Sequence, residues 1–245
     1  MEIRFTPKFV KTKNVRNTEV FMDGLDLGRG EGRFAMIWSE SGRGKTHTVE
    51  WWHAHNESIF LRTKKVWGSS EVEFLTDLAK EPPLRIVDPP RRKARIFADI
   101  LDRMIANPVP VFIDEIERFP NSFVEILRDL TNLSTAPVIL VGEEELVTYM
   151  QRNRRVWTRT YRQLEFQPIT ASDVIVYTAE TTGLKLTPSV ADIIQKARTK
   201  EITDGNFRLV KRTLLALVQY CNAKQTADVT EEMARIAVKQ GLSGA

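Results

Sequence analysis

The sequence predicts an α/β fold with a central parallel sheet flanked by helices, followed by a small all-helical domain. Three observations carry that reading. Short apolar, β-branched runs alternate with helical patterns as far as residue 166, the signature of parallel strands joined by crossover helices. A glycine-rich turn separates the first such run from a helical pattern. After Pro168 the strand signals stop and only helical patterns follow, which divides the chain into an α/β domain over 1–167 and a helical lid domain over 168–245.

Taken in order, RFAMIW (33–38) reads as a buried strand, and THTVEWWHAHN after the turn as a helix. SIFLRT (58–63) is the second strand. Ser70 and Glu73 have capping-box spacing and open a helix around EVEFLTDLAKE. KARIFADILDRMIAN carries Ile96, Phe97, Ile100, Leu101 and Met104 at helical spacing. VPVFID (109–114) and APVILVG (136–142) are apolar throughout, as central strands buried on both faces are, with the helix SFVEILRDLTNL between them. RQLEF (162–166) is the last strand. Beyond it TASDVIVYTAETTG, TPSVADIIQKART, NFRLVKRTLLALVQYCNA and TEEMARIAVKQG read as helices. Thr187 with Pro188 forms an N-cap and first-turn pair, and Thr230 is a second cap.

Composition bounds the function. A chain of 245 residues with 42% hydrophobic and 28% charged residues supports a substantial core. The net charge of +4 is a mild excess that favours an anionic partner only weakly. Cys221 is the single cysteine, so neither an intramolecular disulfide nor a Cys-rich zinc site is available, which suits a reducing cytoplasm. No signal-peptide pattern opens the chain and no apolar run spans a bilayer, so no membrane partner is expected. His53 and His55, two apart on a helix, face different ways and cannot share a metal. Trp51 and Trp52 read as packing residues, and Cys221 as a small buried hydrophobe.

The stretch WSESGRGKTHT nearly matches the phosphate-loop pattern G-x-x-x-x-G-K-[ST], with Ser39 where the first glycine belongs. Such a loop needs inward N–H groups ahead of a helix N-terminus, a lysine for the β- and γ-phosphates and a hydroxyl for Mg²⁺. Ser41, Gly42, Arg43, Gly44, Lys45, Thr46 and His47 form that cradle for ATP, with Lys45 as the cation and Thr46 as the metal hydroxyl. Serine is small enough to let the loop close. The second half of the site is VPVFIDEIERF: Asp114 and Glu115 stand at the C-terminal end of a buried strand, where open parallel sheets bind ligands. Asp114 is expected in the Mg²⁺ shell and Glu115 as the general base for the attacking water.

With these motifs in this order the sequence resembles the AAA+ ATPases, P-loop NTPases with a helical lid, over nearly the whole chain. The resemblance implies a sensor after the fourth core strand, where this chain has Gly142 and Glu143 in place of the more usual Asn, Ser or Thr. It implies a second sensor in the lid at GNFR, making Arg208 the arginine that reaches the γ-phosphate. It implies an arginine finger acting in a neighbouring subunit, within RNRRVWTRTYRQLEF: Arg159 has the best offset, with Arg154 and Arg155 as alternatives. Within that family the short chain, the minimal lid, the basic loop after the second strand and the string ILVGEEEL are similar to the transposition ATPases, the Mu-type B proteins, TnsC-type regulators and ExeA-like relatives.

Two basic clusters are candidates for a nucleic-acid surface. RTKKVWGSS (62–70) offers Lys64 and Lys65 to phosphates and Ser69 or Ser70 as hydroxyl and N–H donors. PPRRKAR (89–95) places Arg91 and Arg92 at a helix start, where cations oppose the dipole. The transposition resemblance implies sequence-nonspecific binding of double-stranded DNA by an ATP-bound homo-oligomer, a filament or ring, that directs a DNA transposase, in the cytoplasm, encoded by a bacterium or a phage. A replication-type AAA+ protein, initiator or helicase loader, is the alternative, and a stand-alone nucleotide kinase is a third reading from another class.

Overall fold

The computed structural model describes residues 2–26 and 34–243. Arg33, the first residue of the expected strand RFAMIW, lies outside the described residues. The sheet has five strands in the order β2-β3-β4-β1-β5, all parallel: β1 Phe34–Trp38, β2 Ile59–Arg62, β3 Val111–Asp114, β4 Val138–Gly142 and β5 Thr160–Glu165. The helices between them are α1 Lys13–Asp26, α2 Lys45–His55, α3 Glu71–Lys80, α4 Lys93–Ala106, α5 Asn121–Ser134, α6 Glu145–Arg152 and α7 Arg154–Trp157. After β5 come α8 Ala171–Thr182, α9 Pro188–Gln195, α10 Phe207–Lys224 and α11 Glu231–Ser243.

The continuous apolar runs are explained by the two faces of the sheet. Side chains alternate along a strand, and here both faces are covered. Phe34, Met36, Val111, Ile113, Val138 and Leu140 point into one core, shared with Phe74, Leu78, Ile96, Ile100, Met104, Phe123 and Leu127 of α3, α4 and α5. Ala35, Ile37, Phe112, Ile139 and Val141 point the other way, against Phe21, Met22 and Leu25 of α1 and Val49 of α2. Phe112 is wholly buried and meets the Trp52 ring edge-on at 5.3 Å. Phe97 and Leu101, expected among the core residues of α4, are only partly buried at its rim.

α1 lies where the sequence suggests no element. Its Asn, Thr and Val residues and Gly24 are weak helix formers, so its stability comes from the packing of Phe21, Met22 and Leu25 rather than from propensity. The cap of α3 is one-sided. Ser70 Oγ accepts from the Glu73 N–H at 3.3 Å, but the Ser70 N–H already donates to the Trp67 carbonyl at 2.9 Å, so no return bond from Glu73 is needed. β3 starts two residues later than VPVFID suggests, because Pro110 has no N–H and contributes only its carbonyl, to Ile59.

The chain forms two compact units. One holds residues 18–40 and 45–166, with the sheet; the other holds 1–17, 41–44 and 167–245. The second unit has its own core, including Val174, Val190, Ile194, Leu214, Leu217, Cys221 and Ala237, joined by Ile3 from the N-terminal segment. Its helices begin on well-formed caps. Thr187 accepts from the Val190 N–H ahead of Pro188, Thr230 accepts from the Met233 N–H at 3.3 Å, and Thr170 with Asp173 completes a reciprocal box on α8. Among the described residues no helix is long and apolar enough to cross a membrane.

Thr170→Ala removes the hydroxyl that accepts from the Asp173 N–H at 3.2 Å. We expect a loss of about 1 kcal/mol in chemical denaturation, as for other N-cap threonines; an unchanged midpoint and slope would show that the box contributes nothing to the second unit.

Candidate nucleotide-binding site

The loop between β1 and α2 turns on two glycines in the left-handed region, Gly42 at φ 80° and Gly44 at φ 91°. Ser39, the residue that departs from the loop pattern, is outside that region and needs no glycine. It also has a role. The buried Lys45 ammonium donates to the Ser39 carbonyl at 2.8 Å, to Ser39 Oγ at 3.0 Å and to the Glu40 carbonyl at 3.0 Å. A charge placed this deep needs such acceptors, and a glycine at position 39 would offer one fewer. His47, on the exposed side of α2, pairs with Glu50 at 3.3 Å.

The strand β3 delivers Asp114 next to the first turn of α2. Thr46 Oγ1 donates to Asp114 Oδ2 at 2.9 Å. Asp114 is 2% exposed, and this burial pushes its carboxyl above the usual carboxylate range, against the opposing pull of the Thr46 hydroxyl. A hydroxyl and a carboxylate oxygen held this close are the donor set that a hard divalent ion takes, and the residues fit Mg²⁺.

Glu115 follows in the left-handed region at φ 63°, a conformation worth about 1–3 kcal/mol of strain for a non-glycine residue. The surroundings hold it from both sides: its N–H donates to the Val141 carbonyl at 2.8 Å, and its carbonyl accepts from Thr63 Oγ1 at 3.2 Å. Its carboxylate pairs with Arg62 at 3.1 Å and Arg118 at 2.9 Å. Arg62 is in register with Asp114 on the neighbouring strand, so this pairing is a product of the sheet. The rings of Trp67, Phe74, Phe119 and Phe123 contact one another at 4.9–5.7 Å and fasten the segments after β2 and β3 together.

Two residues at this edge carry no individual role in the sequence reading. Arg62 is one, and Glu117 is the other. The carboxylate of Glu117 fills the space beside Gly142 at the end of β4: a Cβ there would lie 2.5 Å from Glu117 Oε2. Glu117 Oε1 accepts from the Glu143 N–H at 2.9 Å, Oε2 is buried without a partner among the described residues, and burial raises the carboxyl's pKa. Glu117 thus places its carboxylate at the end of β4, where Glu143 contributes its backbone N–H. The sequence signal was the third acidic residue of DEIE, three positions after Asp114.

Arg159 is exposed just before β5 and donates to Asn132 Oδ1 at 2.7 Å; Arg154 and Arg155 are exposed on α7. In the helical unit Arg208 is exposed in the first turn of α10. Ser41, Gly42 and Arg43 cluster with that unit, and the buried Arg43 guanidinium donates to the Thr203 hydroxyl and the Asp204 carbonyl.

The basic residues are distributed unevenly. Lys64 is tied to Asp77 at 2.9 Å, the same carboxylate oxygen that accepts from Trp67 Nε1 at 2.8 Å. Lys65 and Ser69 are exposed, whereas the Ser70 hydroxyl caps α3 and the Ser70 N–H is taken by the Trp67 carbonyl. An ion pair between Lys93 and Glu71 joins the starts of α4 and α3, so the clusters at 62–70 and 89–95 adjoin. Arg91 and Arg92 are exposed beside them.

Comparison with known proteins places these features in context. A family model described as an AAA domain matches residues 29–150. The chain is similar to the Mu-like prophage FluMu DNA transposition protein B of Haemophilus influenzae, 24% identical over 214 residues that cover 84% of this chain and 71% of that protein. It is similar to the ATP-dependent target DNA activator B of Escherichia phage Mu, 24% identical over 220 residues, covering 86% and 69%. Among solved structures the ORC2 protein of Aeropyrum pernix, in its ADPNP–ADP complexes, aligns with a TM-score of 0.68 at 12% identity, over 98% of this chain and 70% of that one. At that identity the likeness shows the fold alone.

The raised carboxyl of Asp114 has a testable sign. A folded-state pKa above the unfolded 3.8 means that the wild type loses stability as pH rises through the folded pKa. Asp114→Asn keeps an acceptor for Thr46 and has no charge to bury. At pH 7 its ligand-free thermal midpoint is expected to exceed the wild type's by on the order of a few °C, with the difference vanishing toward pH 3. A lower midpoint at pH 7 would show that the buried charge is stabilised, not strained.

Proposed function

We propose that this chain, an AAA+ ATPase resembling the transposition B proteins of Mu-like phages, binds Mg²⁺-ATP at the edge formed by Lys45, Thr46 and Asp114, assembles on double-stranded DNA and directs a DNA transposase to it in the bacterial cytoplasm. The observation that carries the nucleotide reading is the 2.9 Å contact of Thr46 and Asp114 beside the buried ammonium of Lys45, at the C-terminal edge of a parallel sheet. The target-DNA reading rests on the relatives' names, one of them an ATP-dependent target DNA activator.

Each residue then has a physical task. The N–H groups of residues 41–46 cradle the phosphates, and Lys45 exchanges its loop oxygens for those of the β- and γ-phosphates. Thr46 and Asp114 would hold Mg²⁺, which would supply positive charge against the triphosphate. Glu115 accepts the proton of the attacking water once its carboxylate turns from Arg62 and Arg118. Arg208 reads the γ-phosphate. Arg159, or alternatively Arg154 or Arg155, stabilises transition-state charge in a neighbouring copy of the chain. Lys65 with Arg91 and Arg92 meets DNA phosphates, with Lys64, Ser69 and Ser70 at the margin of that surface. A few phosphate contacts per subunit are weak, and an oligomer multiplies them.

Glu115→Gln should bind ATP and lose turnover by about 10²–10⁴-fold, and Arg159→Ala should do the same through the neighbour's site. A mixture of the two variants is expected to regain part of the activity, because some interfaces pair an intact Glu115 with an intact Arg159. A steady-state assay on a mixing series checks this; an inactive mixture, alongside rescue of an Arg154→Ala or Arg155→Ala variant, would move the finger to that residue.

The DNA surface is tested with Lys65→Glu combined with Arg92→Glu, which spares the Lys64–Asp77 pair. Binding to two unrelated duplexes should weaken equally, and the slope of log affinity against log salt should become shallower by about 0.9 for each DNA phosphate that is no longer neutralised. Unaltered slopes in an ATP-dependent anisotropy titration would remove this face from the DNA interface.

A further inference from the structure

Asn206 belongs to neither the loop pattern nor the set of charged site residues, yet it is almost fully buried and uses both ends of its side chain. Asn206 Oδ1 accepts from the Arg208 N–H at 3.0 Å, capping α10, and Asn206 Nδ2 donates to the Ser41 carbonyl at 2.7 Å. The next loop carbonyl, of Gly42, accepts from the Phe207 N–H at 2.9 Å. Arg43 reaches the same segment through Thr203 and Asp204. Gly205 sets the approach: at φ 62° it donates to the Gln195 carbonyl at 2.7 Å and accepts from the Ile169 N–H at 3.1 Å. A Cβ on Gly42 would lie 2.5 Å from Asn206 Oδ1, so the glycine serves this contact as well as the turn.

A planar trans peptide points its carbonyl and its N–H in opposite directions. Holding the carbonyls of Ser41 and Gly42 against residues 206 and 207 therefore aims the N–H groups of Gly42 and Arg43 away from them, as a phosphate cradle requires. We propose that Asn206 is a positioning residue for nucleotide binding: one side chain sets the phosphate loop through the Ser41 carbonyl and the start of the Arg208-bearing helix through the Arg208 N–H. The proposal rests on the nucleotide reading above and adds to it a residue that touches no phosphate.

Asn206→Asp separates the two ends, because it keeps the cap acceptor and replaces the donor with an oxygen facing the Ser41 carbonyl. Asn206→Ser likewise keeps a good N-cap and is too short to bridge. Both variants keep the cap acceptor but leave the buried Ser41 carbonyl without its donor, and Asn206→Asp adds a buried charge, so the nucleotide-free midpoint should fall by roughly a few °C, further for Asp than for Ser. Amide hydrogen exchange of a peptide covering residues 39–46 in the nucleotide-free protein should rise. Dissociation constants for ADP and ATP should rise together by about fivefold, as for the removal of one hydrogen bond, with KM following and kcat within about twofold. Unchanged exchange overturns the clasp. Faster exchange with wild-type ADP and ATP affinities overturns the positioning role, as does a lower midpoint with unchanged affinities, which would make Asn206 a cap only. If the wild type itself binds neither nucleotide, the nucleotide reading falls and the proposal with it, an outcome distinct from a wild type that binds and variants that match it.

Discussion

Parallel strands all leave their sheet at the same edge, and the chemistry of this protein depends on that constraint. β1, β3 and β4 are neighbours in the middle of the sheet, so the segments that follow them emerge side by side. Their last residues bring together the loop before Lys45, the Asp114–Glu115 pair and the Gly142–Glu143 turn, although these lie far apart in sequence. The apolar rows beneath them, Ile37, Ile113 and Val141 among others, are wholly buried. The rigidity of that packing is what allows polar groups to be held at hydrogen-bond distance above it.

Burying charge at that edge has electrostatic consequences. Lys45 is surrounded by three oxygens of its own loop, Asp114 accepts from one hydroxyl, and Glu117 retains an oxygen with no partner among the described residues. The carboxyls of Asp114 and Glu117 are both pushed upward by burial. Lys45 is thus compensated while Asp114 and Glu117 are short of partners, an arrangement that supports the proposal of a metal ion at this edge.

Much of this was legible from residues alone, and the exceptions have physical causes. Continuous apolar runs identify strands covered on both faces, and the order of the GKT and DE motifs on successive strand ends brings Thr46 and Asp114 to one edge, because both patterns follow from the backbone. The ends of elements are less legible: Pro110 shortens β3 and the Trp67 carbonyl occupies the Ser70 N–H, effects that depend on neighbours in space. α1 escaped notice because packing, not propensity, makes it helical. The pairing of Glu115 with Arg62 arises from strand register, and the adjacency of the two basic clusters from the Lys93–Glu71 pair; neither leaves a periodic trace. Asn206 stands in plain view within GNFR, but only its partner, Ser41, shows why an asparagine is there.

The closeness of Gly42 to Asn206 bears on how this protein can evolve. The two positions share one small volume: a side chain at 42 would meet Asn206 as well as the strain of φ 80°, and shrinking residue 206 releases Ser41. The pair is therefore constrained unequally: residue 206 can change where another tether to the loop replaces it, whereas residue 42 stays glycine as long as the turn keeps φ 80°.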